Sequence, residues 1–308
     1  MDKDTSWLEV SIQVTKEQAE AVAEILGRFT PEGVVVERLA KDSISEEQSF
    51  ESTVRVFGYL FADANLEDKK KRFEEALFYL SRIQSLPRPQ YKRIHDKNWM
   101  SAWKDQYKPL KIGKSLAILP AWAKNPYSER IPIRINPGMA FGTGTHPTTQ
   151  LCLELMETRV LPDMDVIDVG CGSGILSIAA ILLGANHAYG ADVSPAAVRS
   201  SLENATINKT ESSLTFIQGS VDEITLGAFD IIEAPLVIVN ILATIIMRLF
   251  DQNLANLVTP DGVLILSGIL EPQSEQILQK AQQFGFRLLE KREIEDWVAL
   301  CLQKQQEN

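Results

Sequence analysis

Nine residues constrain this 308-residue chain more than any others: Val166-Ile167-Asp168-Val169-Gly170-Cys171-Gly172-Ser173-Gly174. They read as an apolar strand with an acid near its end, then a glycine-rich turn that opens a helix. Glycines there let the backbone turn tightly and come close to a ligand. Such a unit belongs in a parallel α/β sheet, with a nucleotide-like ligand at the carboxyl ends of the strands, beside the topological switch point. Asp168, Gly170, Gly172 and Gly174 are therefore candidate cofactor-binding residues. The glycines follow GxGxG, and Ile175 stands where a dinucleotide fingerprint would have its last glycine. Twenty-two residues after Gly170 comes Asp192, closing the apolar run Ala188 to Ala191. A carboxylate at that point can accept both ribose hydroxyls. Ser194-Pro195 then starts a helix as N-cap and first helical residue. Gly219-Ser220 can border an adenine or simply turn the chain. Together these features suit S-adenosylmethionine better than a dinucleotide, because no helix terminus has to be reserved for a pyrophosphate.

The rest of the chain sorts around that unit. Apolar strands at 166–169, 188–191, 214–217, 236–239 and 263–267 alternate with helical segments at 147–158, 174–184, 195–208, 241–257 and 272–284. That alternation predicts a parallel sheet covered on both faces. Trp297 to Leu302 is expected to add an antiparallel strand at the end. Before residue 96 the pattern differs. Leu8, Val10, Ile12 and Val14 recur at period two, and residues 16–28 follow at helical spacing. Strands near 34–36 and 54–60, a charged helix over 66–85 and a strand at 91–95 complete a β-α-β-β-α-β order, the ferredoxin-like arrangement. The expected organisation is a ferredoxin-like α+β domain over 1–95, a connector over 96–112 bearing Trp99 and Trp103, and a Rossmann-like α/β domain over 113–308.

At this point a specific resemblance enters. Asn136-Pro137-Gly138-Met139-Ala140-Phe141-Gly142-Thr143-Gly144-Thr145-His146-Pro147-Thr148-Thr149 resembles the signature of the methyltransferases of the eleventh large-subunit ribosomal protein. Trp99-Met100-Ser101-Ala102-Trp103, the glycine turn, Asn240-Ile241-Leu242 and Leu266-Ser267-Gly268-Ile269-Leu270 match the same family in order. The resemblance implies a class I enzyme that moves methyl groups from S-adenosylmethionine to the N-terminal α-amino group and lysine ε-amino groups of that ribosomal protein. It implies cofactor contacts at Thr149, Gly170, Asp192 and Asn240, with Phe141, Gly142 and Thr143 lining the same pocket. It also implies that the first domain recognises the substrate protein. Displacement at a sulfonium by an amine needs a neutral amine, alignment and a dry site, without a metal or a covalent intermediate. Asn240 can orient the amine through its carbonyl groups, whereas an amide is too weak to act as a base. His146 can assist proton removal or shape its loop. One departure stands out: Ile231 to Val239 separates Asp230 from Asn240, and Val239 occupies a position where a small residue is common, which leaves the strand register open.

Composition narrows the partners. Against 31 Lys and Arg stand 41 Asp and Glu, a net charge of −10. Residues 1–95 hold 17 acids and 14 basic residues. Gripping a phosphate backbone relies on Lys and Arg displacing counterions, so direct nucleic-acid binding is not expected. A basic ribosomal protein met before RNA covers it is a better partner, and Asp42, Glu46, Glu47 and Glu51 form an acidic loop that can face it or simply face water. Cys152, Cys171 and Cys301 have no metal-like spacing and fit a reducing cytoplasm. Ile231 to Phe250 is long enough for a membrane span, but Glu233, Pro235, Asn240 and Arg248 make it a buried strand, a loop and a helix instead. Two alternatives stay open: a methyltransferase with another protein, small-amine or nucleobase acceptor, and a non-catalytic module that merely binds the cofactor. Ile241 and Leu242 after Asn240 provide no aromatic platform for an extruded base.

Overall fold

The computed structural model describes residues 7–30, 34–38, 53–63, 65–82, 85–94, 107–136 and 144–306. They form two compact units, one holding the described residues up to Tyr107 and the other those from Lys108 onward. In the first unit the order is β1 (Trp7–Thr15), α1 (Lys16–Gly27), β2 (Val34–Arg38), β3 (Thr53–Phe61), α2 (Leu66–Ser81) and β4 (Gln90–Ile94). The sheet is antiparallel, with spatial order β2-β3-β1-β4. Alternation along β1 divides its two faces. Val10, Ile12 and Val14 pack with Val22 and Leu26 of α1 and Phe73 of α2. On the other face Trp7 joins Phe57 and Tyr59, and Glu9 accepts hydrogen bonds from Arg55 and Tyr59. Thr15 caps α1, with the Gln18 side chain accepting in return from the Thr15 amide, so two otherwise orphaned N–H groups are satisfied.

The second unit opens with a small sheet that alternation alone does not reveal. β5 (Leu110–Ile112) pairs antiparallel with β6 (Leu116–Pro120), and β6 pairs parallel with β7 (Ile131–Ile135). Residues 110–112 were expected to lie in the connector; their pairing makes them part of this sheet. The turn between β5 and β6 is held by Glu157 of α3 (Pro147–Arg159), whose carboxylate accepts from the amides of Lys114, Ser115 and Leu116.

The main sheet follows: β8 (Asp165–Val169), α4 (Ile175–Leu182), β9 (His187–Asp192), α5 (Pro195–Asn208), β10 (Leu214–Gln218), α6 (Val221–Thr225), β11 (Ala234–Asn240), α7 (Ala243–Asp251), β12 (Val258–Leu270), α8 (Glu271–Gln283), β13 (Phe286–Ile294) and β14 (Trp297–Lys304). Its order is β10-β9-β8-β11-β12-β14-β13. The first five are mutually parallel, and β14 lies between β12 and β13, antiparallel to both. The chain therefore works outward from β8 in one direction and then returns to β11 on its other side, which makes a Rossmann-like switch point between β8 and β11. Apolar residues run almost unbroken along these strands because both faces are buried. Ile167, Val237 and Val239 join one core, while Val166, Leu236 and Ile238 join the other.

The long apolar stretch resolves into β11 and α7, separated by Ile241-Leu242. No helix among the described residues is long and apolar enough to cross a membrane. The irregularity before Asn240 is local: the register with β12 shifts between Ala234 and Leu236, and residues 236–239 are paired on both sides. Val239 is fully buried in the core, and its bulk is spent there.

Candidate functional site

The glycine turn is built on left-handed backbone. Gly170, Gly172 and Gly174 have φ of 77°, 55° and 77°, a region costly for residues that carry a Cβ. The turn is tied to β9 by Ala191, whose carbonyl accepts from the amides of both Gly170 and Cys171. At the end of β9 the Asp192 carboxylate accepts from the Gly172 amide at 2.9 Å through one oxygen and from the Ser194 amide at 2.8 Å through the other. A carboxylate offers about four acceptor positions, so two amides can orient it without exhausting it.

Asp168 has a different environment. It is 1% exposed at the end of β8, and its Oδ2 accepts from the Ser177 amide at 3.1 Å and the Ser177 hydroxyl at 2.6 Å. Its Oδ1 is buried without a hydrogen-bond partner among the described residues. Burial pushes its pKa up to about 6; the Ser177 bonds oppose that rise and the charge of Asp192 adds to it. A buried acceptor without a donor costs about 1–3 kcal/mol, so Oδ1 suits a ligand that brings a donor or a cation. Burial also pushes the neighbouring Cys171 thiol well above its ordinary range, which keeps it protonated.

Three motifs far apart in sequence meet at Ile241. A Cβ on Gly170 would lie 2.5 Å from the Ile241 Cγ2, and one on Gly268 would lie 2.1 Å from the Ile241 carbonyl oxygen. The turn after β11 is thus clasped between the glycine turn and β12, with the Asn240 backbone in register with Ser267. The Asn240 amide Nδ2 donates to the Thr149 hydroxyl at 3.4 Å, which presents Oδ1 as its acceptor. Thr149 is itself fully buried in the first turn of α3. Gly144 (φ 83°) wedges against Ile118 of β6 and Ile175, the first residue of α4, which brings the end of the signature run to the glycine turn.

His146 is the N-cap of α3. Its Nδ1 lies 2.8 Å from the Thr148 hydroxyl and accepts from the Thr148 amide, and its ring packs edge-on against Trp297 at 4.8 Å. Burial lowers its pKa to about 4 against an opposing influence of Glu295, so the ring is neutral at pH 7. Of the two roles the sequence leaves open for His146, this geometry supports shaping the loop. Phe141, Gly142 and Thr143 lie outside the described residues, as do Trp99 and Trp103. Asp168, Gly170, Gly172, Gly174, Asp192, Asn240 and Thr149 all gather at the carboxyl ends of β8, β9 and β11 or beside them. Ser177 escapes a motif reading, although a serine nine residues after the strand acid and one turn into the helix is a usable signal. These acceptors fit an adenosine-type ligand with a cationic tail: a carboxylate held on the glycine turn, and a buried carboxylate with one oxygen to spare.

Comparison with known proteins agrees with the geometry. The family model described as ribosomal protein L11 methyltransferase (PrmA) matches residues 6–305. The ribosomal protein L11 methyltransferase of Herpetosiphon aurantiacus is 36% identical over 323 residues, covering 97% of this chain and 99% of that protein. Its counterpart in Caldanaerobacter subterraneus subsp. tengcongensis is 35% identical over 315 residues, again covering 97% and 99%. A crystal structure of ribosomal protein L11 methylase from Lactobacillus delbrueckii subsp. bulgaricus superposes with a TM-score of 0.58 at 31% identity, covering 65% of this chain and 100% of that one. By sequence over nearly its whole length, the chain belongs to the ribosomal protein L11 methyltransferase family.

Proposed function

We propose that the protein transfers methyl groups from S-adenosylmethionine to amines of ribosomal protein L11, the N-terminal α-amino group and lysine ε-amino groups. The observation that carries this reading is the clasp around Ile241, which brings the glycine turn, Asn240 and Thr149 into one site. S-adenosylmethionine, when bound, supplies a methyl group on a sulfonium that is already a good leaving group. Asp192 holds the ribose hydroxyls, positioned by the Gly172 and Ser194 amides. Gly170, Gly172 and Gly174 admit the ligand's close approach, and Asp168 Oδ1 receives its ammonium group. The family resemblance assigns Phe141, Gly142 and Thr143 of the signature run to the same cofactor. Asn240, steadied by Thr149, accepts a hydrogen bond from the incoming amine and aims its lone pair, while His146 sets the end of the loop. An α-amino group with a pKa near 8 gives up its proton readily, whereas a lysine near 10.4 needs desolvation first.

Residues 1–95 are the substrate-recognition domain in this reading, the connector begins at 96, and the methyltransferase domain takes in the strand at 110–112 and runs to 308. The β2-β3-β1-β4 order supports a ferredoxin-like description of the first. The acidic balance supports recognition of L11 free of the ribosome and without direct contact to nucleic acid. Three unpaired, buried cysteines support a cytoplasmic setting. Intact mass spectrometry of purified L11 after incubation with the protein and S-adenosylmethionine tests the proposal. Mass gains in steps of one methyl group are expected, and an unchanged L11 mass in the presence of bound cofactor would overturn it.

A further inference from the structure

Two asparagines of α5, Asn204 in its interior and Asn208 at its last position, do something unusual for a helix. Asparagine is a poor interior helix residue and costly to bury unless its amide is satisfied, yet Asn204 is fully buried. Its Oδ1 accepts from the Asn136 amide at 2.9 Å, and its Nδ2 donates to the Ser173 carbonyl at 2.9 Å. One turn further on, Asn208 Oδ1 accepts from the Arg134 amide at 2.8 Å and its Nδ2 donates to the Arg134 carbonyl at 2.6 Å. Residues four apart on a helix are separated by about 6 Å, and alternate residues of a strand by about 6.6 Å. The pair therefore matches the amide spacing at the edge of β7, the outer strand of its small sheet, and serves it as a neighbouring strand would.

The two asparagines differ in where their donors go. Asn208 returns to Arg134 and to the carbonyl of Asn204 on its own helix. Asn204 instead reaches across to Ser173, inside the same glycine turn that Asp192 grips through Gly172. The helix also closes on that turn one residue later, where a Cβ at Gly174 would lie 2.7 Å from the Ser201 Cβ.

We propose that Asn204 is a positioning residue that ties the glycine turn to Asn136, the residue directly after β7 and the first of the signature run, so that cofactor binding and the placement of the end of β7 are coupled. The proposal rests on the reading of the glycine turn as the S-adenosylmethionine site. A matched pair of variants, Asn204→Ser and Asn208→Ser, tests it by calorimetric titration with S-adenosylhomocysteine, with melting temperature as the measure of stability. Each cuts a bond to β7 or to the residue directly after it, and both should lower the melting temperature. Asn204→Ser should weaken cofactor binding on the order of tenfold through the loss of a buried hydrogen bond at the turn. Asn208→Ser should leave affinity within about twofold, since its contacts do not include the turn. Equal weakening in both, or unchanged affinity in a folded Asn204→Ser, overturns the proposal.

Amide hydrogen exchange on the unaltered protein covers the case in which Asn204→Ser does not fold. Addition of S-adenosylhomocysteine should slow exchange at Asn136 and leave Arg134 unaffected. No change at Asn136, or the same change at both, overturns the coupling while leaving the site reading intact. Failure of the unaltered protein to bind S-adenosylhomocysteine at all would overturn the site reading and this inference with it.

Discussion

Asp168 and Asp192 end adjacent strands with opposite surroundings, and that contrast divides their work. Asp192 is held by two backbone amides at the end of β9, so its geometry is fixed before any ligand arrives. Replacing it in Asp192→Ala should weaken cofactor binding by about 1–3 kcal/mol, the value of charge-assisted hydrogen bonds, as read by calorimetric titration. Asp168 is buried, and its pKa is raised to about 6 from 3.8. Because the folded value is the higher one, the uncomplexed protein gains stability from this group as pH falls through 6 toward 3.8, and bears the cost of the buried charge above 6. His146 works in the other direction over a similar range: its folded pKa is depressed to about 4, so the stability it contributes is present above 6.5 and is lost as pH falls through 4. A cationic ligand group selects the ionised form of Asp168. Cofactor affinity should therefore fall by about tenfold for each pH unit below 6, and Asp168→Asn should bind weakly with that dependence removed. Titrations at pH 5 and pH 7.5 on both proteins decide the matter. For Asn240→Ala, the proposed role of its acceptor oxygen toward the amine, with its donor spent on Thr149, requires turnover to drop more than cofactor affinity; steady-state kinetics with L11 separates the two quantities.

Among the elements, the contact between β12 and the turn after β11 has the least tolerance. Gly268 has φ 83°, and a Cβ there would sit 2.1 Å from the Ile241 carbonyl oxygen, which is backbone and cannot rotate away. Gly268→Ala should cost about 1–3 kcal/mol in unfolding free energy from left-handed strain alone, with a further loss of turnover as Asn240 is displaced. Denaturant unfolding and kinetics on the same variant measure both. The Glu157 grip on the β5–β6 turn is the other such point. Burial would raise its pKa, yet hydrogen bonds from Lys114, Ser115 and Leu116 bring it below its ordinary value. Its contribution is therefore present above the unfolded pKa of 4.5 and is lost as pH falls through the depressed folded value. Glu157→Gln should destabilise the protein by about 1–3 kcal/mol at pH 7, checked by denaturant unfolding.

For the whole molecule, the net charge of −10 acts at a distance that no single contact does. If the substrate is a basic ribosomal protein, its association should weaken as ionic strength rises and the Debye length shrinks from about 10 Å at 0.1 M to about 3 Å at 1 M. A KM for L11 that rises several-fold over that range is the expected result, and a flat profile would remove the electrostatic part of recognition. The acidic loop bearing Asp42, Glu46, Glu47 and Glu51 lies outside the described residues, so its share is tested by neutralising the four together.

Much of this organisation was legible along the chain because it is written in short-range patterns. The left-handed glycines 170, 172 and 174, the acid closing β9 and the Ser194-Pro195 helix start are local facts of backbone sterics and capping, and each keeps its meaning out of context. Apolar runs announced β8 to β12 because both faces of a parallel sheet are dry. What only the tertiary structure decided is long-range. The sheet of β5 to β7 is short, with two prolines and turns that dilute its pattern, and it exists because α3 and α5 satisfy its turn and its edge. The clasp at Ile241 depends on Gly268 meeting its backbone and Gly170 its side chain at distances that only glycine allows, and Asn204 gains its meaning from two partners 31 and 68 residues away. Sterics and periodicity are carried by neighbours in sequence, so the chain alone determined the elements and the chemistry of the turn. Packing and hydrogen bonding between distant segments are satisfied only once the chain has closed on itself, so the fold decided which of those elements share a site.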